Sequence, residues 1–186
     1  MAATARRRPF TADEYHRMVA AGILDEDDAV ELICGDIVNK APKSARHAAC
    51  LSKLTEPLAS ALRQRATIPV QDPIALGPFS EPDPDIVLAR HRVDAYAKGH
   101  PSGGDVLLVI EVADSSLLYD REVKLPLYAG AGIPEVWLLD LTRQAVTVFT
   151  EPGAKGYDNA FDKQSGDTLQ PAAFPEVKLP VAALLP

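Results

Sequence analysis

The chain has 186 residues, 47% hydrophobic and 24% charged, the ordinary mixture of one globular domain long enough to bury a sizeable core. No apolar run approaches the roughly 18 residues needed to cross a bilayer, and the arginines of the first ten residues lead into no apolar stretch, so neither a membrane span nor a secretory signal is expected. Nineteen Lys and Arg against 26 Asp and Glu leave a net charge of −7, the opposite of the basic footprint that phosphate contact usually leaves.

Residues 1–8 read as a flexible tail, with Arg6-Arg7-Arg8 as its charged end. Thr11-Ala12-Asp13-Glu14 is a capping box, and Tyr15, Met18 and Val19 give one apolar stripe before Gly22, which predicts a helix over 12–21. Residues 29–33 and 36–39 predict a β-hairpin turning at Cys34-Gly35. Cys34 and Cys50 form no CxxC pair and no disulfide framework, so a reducing cytoplasm is expected. From Ser44 the apolar positions 48, 51, 54, 58 and 62 follow helical spacing, with a kink or a break expected at Pro57. Residues 67–71 read as β, a turn-rich stretch covers 77–84, and 85–89 form a strand. A loop follows over 91–104. Residues 105–112 (DVLLVIEV) are apolar without alternation, the pattern of a central strand covered on both faces. A helix is expected over 119–131, with Pro126 as a local irregularity, then strands over 136–139 and 145–150. The last third predicts weak strands and no helix. The strand–helix–strand piece over 105–140 implies a parallel crossover and the hairpin implies antiparallel pairs. The expected class is therefore α/β in the mixed α+β sense: a mixed sheet flanked by helices with an extra hairpin region. One domain is expected over 1–186, with a core over 9–150 and a β- and loop-rich C-terminal extension over 151–186.

Three features converge on one chemistry. Glu81-Pro82-Asp83-Pro84-Asp85 holds carboxylates in a proline-stiffened segment at a strand entrance. Glu111 is a lone acid at the end of an apolar run, where an ionised carboxylate costs several kcal/mol unless paired, protonated or bound to metal. Asp114, Ser115, Ser116, Asp120 and Lys124 follow it. Two carboxylates that bind Mg²⁺ and a lysine that steadies a water are the minimum kit for phosphodiester hydrolysis.

This arrangement resembles the PD-(D/E)XK nuclease superfamily and, more narrowly, the Uma-type family of restriction-endonuclease-like proteins. The resemblance is carried by PFTADEYHRMVAAGIL, VELICGDIV, the histidine in SARHAAC, VQDPIALGPFSEPDPDIVLAR and the long segment from Asp105 to Leu141, together spanning residues 9 to about 150. It implies a restriction endonuclease-like core, a homodimer, DNA as substrate with RNA still open, and Mg²⁺ or Mn²⁺ as cofactor. Asp85 and Glu111 would be the metal ligands, and Glu31 in VELICG corresponds to a family acid near the site. A strict acid-x-Lys motif needs lysine at 113, where this chain has Ala113; the resemblance implies that the role has moved to Lys124 on the following helix.

Each residue also has a plainer reading. Asp85 can be a turn residue, with Asp83 as rival ligand, and Glu111 a satisfied structural acid. Lys124 can face solvent, and Glu31 can belong to a hairpin ion pair. Asp120 reads as the N-cap of its helix. His47 either approaches the site or caps its helix locally. His91 and His100, with Asp94, have no metal-ligand spacing. Arg6-Arg7-Arg8 reads as a charged tail rather than a DNA contact, and a non-catalytic dimeric binding module on the same scaffold is the rival function.

Overall fold

The computed structural model describes residues 7–25 and 28–186. Of the expected flexible tail, residues 1–6 lie outside the described residues. Arg7 and Arg8 are placed against Asp36 and Glu14. The capping box forms as the sequence predicts: Thr11 Oγ1 accepts from Glu14 N at 3.2 Å, and Glu14 Oε2 accepts from Thr11 N at 3.1 Å. Helix α1 (Ala12–Ala20) follows. Strands β1 (Val30–Ile33) and β2 (Asp36–Asn39) pair antiparallel. Between them Cys34 and Gly35 both have positive φ, as the tightest hairpin turns require. Gly35 is obligatory for a second reason, since a Cβ there would meet Pro9 Cβ at 2.3 Å.

Helix α2 (Ala45–Ala61) runs through Pro57 without the expected break. Its stripe of Cys50, Leu54 and Leu58 is fully buried, and that packing offsets the roughly 3 kcal/mol that an interior proline costs.

Six strands form the main sheet in the order β3 (Ala66–Thr67), β4 (Ile86–Arg90), β5 (Val106–Ala113), β6 (Glu135–Asp140), β7 (Ala145–Gly153) and β8 (Gly156–Gln164). Strands β5 and β6 are parallel, in register from Val109↔Val136 to Ala113↔Asp140, and every other neighbouring pair is antiparallel. The parallel pair is joined by a crossover made of α3 (Leu117–Tyr119), a π-helical turn (Asp120–Lys124) and α4 (Leu125–Gly130). Side chains of β5 alternate between two apolar cores. Leu108, Ile110 and Val112 pack with Leu54 and Leu58 of α2, while Val109 and Ala113 pack with Tyr128 of α4 and Ile133. Burial on both faces is why this strand reads as a continuous apolar run.

The C-terminal third corrects the sequence reading in two places. Strand β8 is nine residues long, paired to β7 from Gln164↔Ala145 to Gly156↔Gly153. It is polar and largely exposed because it is an edge strand, so the apolar signal of a strand is absent. Strands β9 (Thr168–Leu169) and β10 (Leu179–Pro180) pair antiparallel. They lead into a single helical turn, α5 (Val181–Leu184), too short to show a period. Leu169, Phe174, Val181 and Leu184 complete the core over α2.

Candidate metal centre

A cleft of about 290 Å³ opens where β1, the 81–85 segment, the end of β5 and the crossover meet. Six of its lining side chains are carboxylates (Glu31, Asp83, Asp85, Glu111, Asp114 and Asp120), against the lysines Lys40, Lys43 and Lys124. Backbone bonds hold the walls together. Glu81 N donates to Leu32 O at 2.7 Å, which lays the 81–85 segment along β1. Asp83 N then donates to Glu31 Oε2 at 3.1 Å, and the Asp83 carboxylate takes Lys40.

Register positions the next acid. Ile86 pairs with Ile110 across β4 and β5, so the residue before Ile86 comes beside the residue after Ile110. Asp85 Oδ2 accepts from Val112 N at 2.8 Å. Its Oδ1 lies 3.0 Å from His47 Nε2 and accepts from Gln71 Nε2 at 3.2 Å. Burial alone would raise this carboxyl, but the bonds from His47, Val112 and Gln71 outweigh it and hold Asp85 below the usual carboxylate range.

Glu111 shares the face of Val109 and Ala113, so it is turned toward the crossover and is 3% exposed. Its Oε1 accepts from Tyr128 Oη at 2.5 Å and from Lys124 Nζ at 3.3 Å. Burial pushes Glu111 up to about 8 against the opposing pull of Lys124. Lys124 is itself buried, which alone would lower it, yet Glu111, Glu31 and Asp120 outweigh burial and hold its ammonium above the ordinary lysine range. A protonated Glu111 would no longer attract that ammonium. Glu31, with its Oε2 3.3 Å from Nζ, is a second carboxylate partner for the same ammonium.

The π-helical turn explains how Lys124 gets there. Pro126 has no N–H to offer one turn back, and its ring occupies that space. The chain widens, and Leu125 N donates to Asp120 O five residues earlier. Asp120 and Lys124 are thereby both turned inward, 4% and 6% exposed. Asp120 is not the helix N-cap that the sequence suggests: Ser116 holds that place, and its Oγ donates to Asp120 Oδ2 at 2.7 Å. Among the predicted residues, Glu31, Asp85, Glu111 and Lys124 all line one cleft, with Asp83 and His47 beside them. His91 does not line it. Sequence reasoning missed Tyr128, Gln71 and Lys40. Tyr128 was the most findable, since it lies four residues after Lys124 on the same helical face.

The donor set fits a hard divalent cation. Mg²⁺ uses one or two carboxylates and completes its shell with water and phosphate oxygens. Asp85 is held ionised, and both protein bonds to Glu111 fall on Oε1, none among the described residues reaching Oε2. A cluster of buried acids with a single buried lysine among them gains most from added positive charge.

With this geometry in place, the comparisons are specific. A family model named Uma2 and described as "Putative restriction endonuclease" matches residues 12–182. A crystal structure of a "putative nuclease belonging to DUF820" from Anabaena variabilis superposes with a TM-score of 0.75 at 20% identity, covering 95% of this chain and 97% of that one. At that identity the likeness establishes the fold alone, a mixed sheet flanked by helices that the two proteins share. No curated protein matches the chain. Among the described residues no helix is long and apolar enough to cross a membrane.

Proposed function

We propose that this chain, which belongs to the Uma2 family, is a metal-dependent endonuclease that hydrolyses phosphodiester bonds in DNA. Family membership supports a nuclease. The observation that carries the finer reading is the placement of Lys124 Nζ, buried in the cleft and 3.3 Å from both Glu31 and Glu111. Asp85 and Glu111 hold Mg²⁺ or Mn²⁺, which supplies Lewis-acid activation of the phosphoryl group and of water. Lys124 orients the attacking water and offsets charge that develops on the phosphate, while Glu31 keeps that ammonium aimed into the cleft. Lys40 and Lys43 also line the cleft, and Lys43, exposed and, among the described residues, hydrogen-bonded only to the neutral Gln71, is available to a phosphate on a chain whose net charge is −7. The two cysteines are free, in keeping with a cytoplasmic setting, and a homodimer would present two such clefts to the two strands of a duplex.

The test is plasmid nicking with Mn²⁺ and Mg²⁺, paired with calorimetry. Wild type should bind Mn²⁺ and nick DNA; Asp85→Ala and Glu111→Ala should do neither. A wild type that binds no metal would transfer the assignment to a non-catalytic binding module, the reading that Ala113 and the acidic net charge favour.

His47 gives a graded version of the same experiment. Its Nε2 lies 3.0 Å from Asp85 Oδ1, so it acts by positioning that ligand. Substituting a partner of this kind weakens metal affinity by about 10–100-fold, and His47→Ala should weaken Mn²⁺ binding by that factor without abolishing it. Unchanged affinity would show that Val112 N and Gln71 suffice to orient Asp85.

A further inference from the structure

At the Glu81 end of the 81–85 segment, among residues that do not line the cleft, three side chains from separate parts of the chain come together: His16 on α1, Glu81 and His100. One ligating atom of each lies within 4.8 Å of the other two, and among the described residues this is the one group of three His, Cys, Asp or Glu atoms so close. His16 Nε2 is 2.6 Å from Glu81 Oε2, and the His16 and His100 rings meet edge-on with centroids 6.5 Å apart. We propose that His16, Glu81 and His100 form a second divalent-metal site, selective for an imidazole-preferring ion of the zinc class and distinct from the carboxylate pair of the cleft.

Donor chemistry sets the class. Two imidazoles and a carboxylate suit Zn²⁺, Co²⁺ or Ni²⁺, whereas Mg²⁺ prefers oxygen alone. Three protein ligands leave a fourth position for water. Zinc bonds of about 2.0–2.2 Å put tetrahedral ligand atoms roughly 3.3 Å apart, so the 2.6 Å His16–Glu81 contact must open slightly, and His100 already lies within 4.8 Å of both. Both imidazoles are exposed and can rotate, while Glu81 is fixed at 5% exposure.

Each ligand stands on anchored backbone. Ala12 N at the start of α1 donates to Pro78 O at 2.8 Å, Glu81 N donates to Leu32 O at 2.7 Å, and Ala75 N donates to Pro101 O, next to His100, at 2.8 Å. An ion there would tie α1 and the 97–102 loop to the segment that carries Asp83 and Asp85, and to β1 beside Glu31. The site is therefore placed to stiffen the wall of the cleft. The sequence hides it, because 65 residues separate His16 from Glu81 and no local spacing motif survives that distance.

The experiment titrates Zn²⁺ into the untagged 186-residue chain by calorimetry and follows the imidazole resonances of its four histidines by NMR. Wild type should bind one more Zn²⁺ per chain than His16→Ala or His100→Ala, both exposed positions whose loss leaves the core intact. The His16 and His100 resonances should move on addition of Zn²⁺, and that of His91 should not. The same one-ion difference should persist in an Asp85→Ala background, which separates this site from the cleft. Equal stoichiometry in wild type and both histidine variants, or unmoved His16 and His100 resonances, would overturn the proposal and leave an ordinary histidine–carboxylate hydrogen bond.

Discussion

Lys124→Met is expected to destabilise the metal-free protein by about 3–5 kcal/mol at neutral pH, the usual cost of removing one partner from a buried ion cluster. The substitution keeps the bulk of the aliphatic stem, so the loss is electrostatic rather than a cavity effect. It leaves Glu31 and Asp120, 1% and 4% exposed, with no cation beside them, while Glu111, raised to about 8, is largely protonated at neutral pH and adds little to the cost. The pH dependence has a definite sign. Lys124 is held above its ordinary 10.5, so in wild type its contribution is fully present below that value and is lost only as pH rises beyond it. In the variant the abandoned carboxyls take up protons, so the deficit should shrink as pH falls. Urea unfolding at several pH values measures both effects. Mn²⁺ should restore more stability to the variant than to wild type, because it supplies the missing positive charge. Cleavage should nevertheless fall by about 10²–10³-fold even at saturating metal, the cost of losing one transition-state donor. A variant as stable as wild type would mean that Lys124 is not paired as the structure shows.

What the sequence made legible and what it hid divide along physical lines. The central strand, the capping box and the hairpin were readable because each rests on local pattern: an apolar run, a three-residue spacing, a turn that demands positive φ. Asp85 and Glu111 stood out because acids beside buried strands need an explanation. Strand β8 and helix α5 were hidden because an exposed edge strand and a single turn carry no period. The uninterrupted α2 was hidden because tertiary packing of Leu54 and Leu58 overrides a local breaker. Asp120 was misread as a cap for the same kind of reason: the π-helical turn forced by Pro126 rotates it inward, and nothing in the linear spacing announces that rotation. Gln71 and the His16–Glu81–His100 group depend on contacts across many residues and were legible only once the sheet was in place.

The acid at the heart of the cleft also carries the largest conflict between stability and activity. Glu111→Gln should abolish Mn²⁺ binding and cleavage together, yet in the presence of a chelator it should leave the protein more stable than wild type at pH 8. Burial raises Glu111 from its ordinary 4.5 to about 8. A carboxyl raised in this way stabilises the fold fully below 4.5 and loses that contribution progressively as pH rises toward 8, because the unfolded chain releases the proton first. Glutamine resembles the protonated form, can still accept from Tyr128, and does not titrate. The stability of metal-free wild type relative to Glu111→Gln should therefore decline between pH 5 and pH 8 and level off above it. Lys124 does not reverse the sign, since Glu31 at 3.3 Å keeps it paired in the variant. Mn²⁺ should flatten the wild-type curve by displacing the proton, leaving the variant unchanged. Parallel curves for the two chelated proteins would show that Glu111 is ionised throughout, with Lys124 alone balancing it, and the preference of this cleft for a divalent ion would then have to come from Asp85.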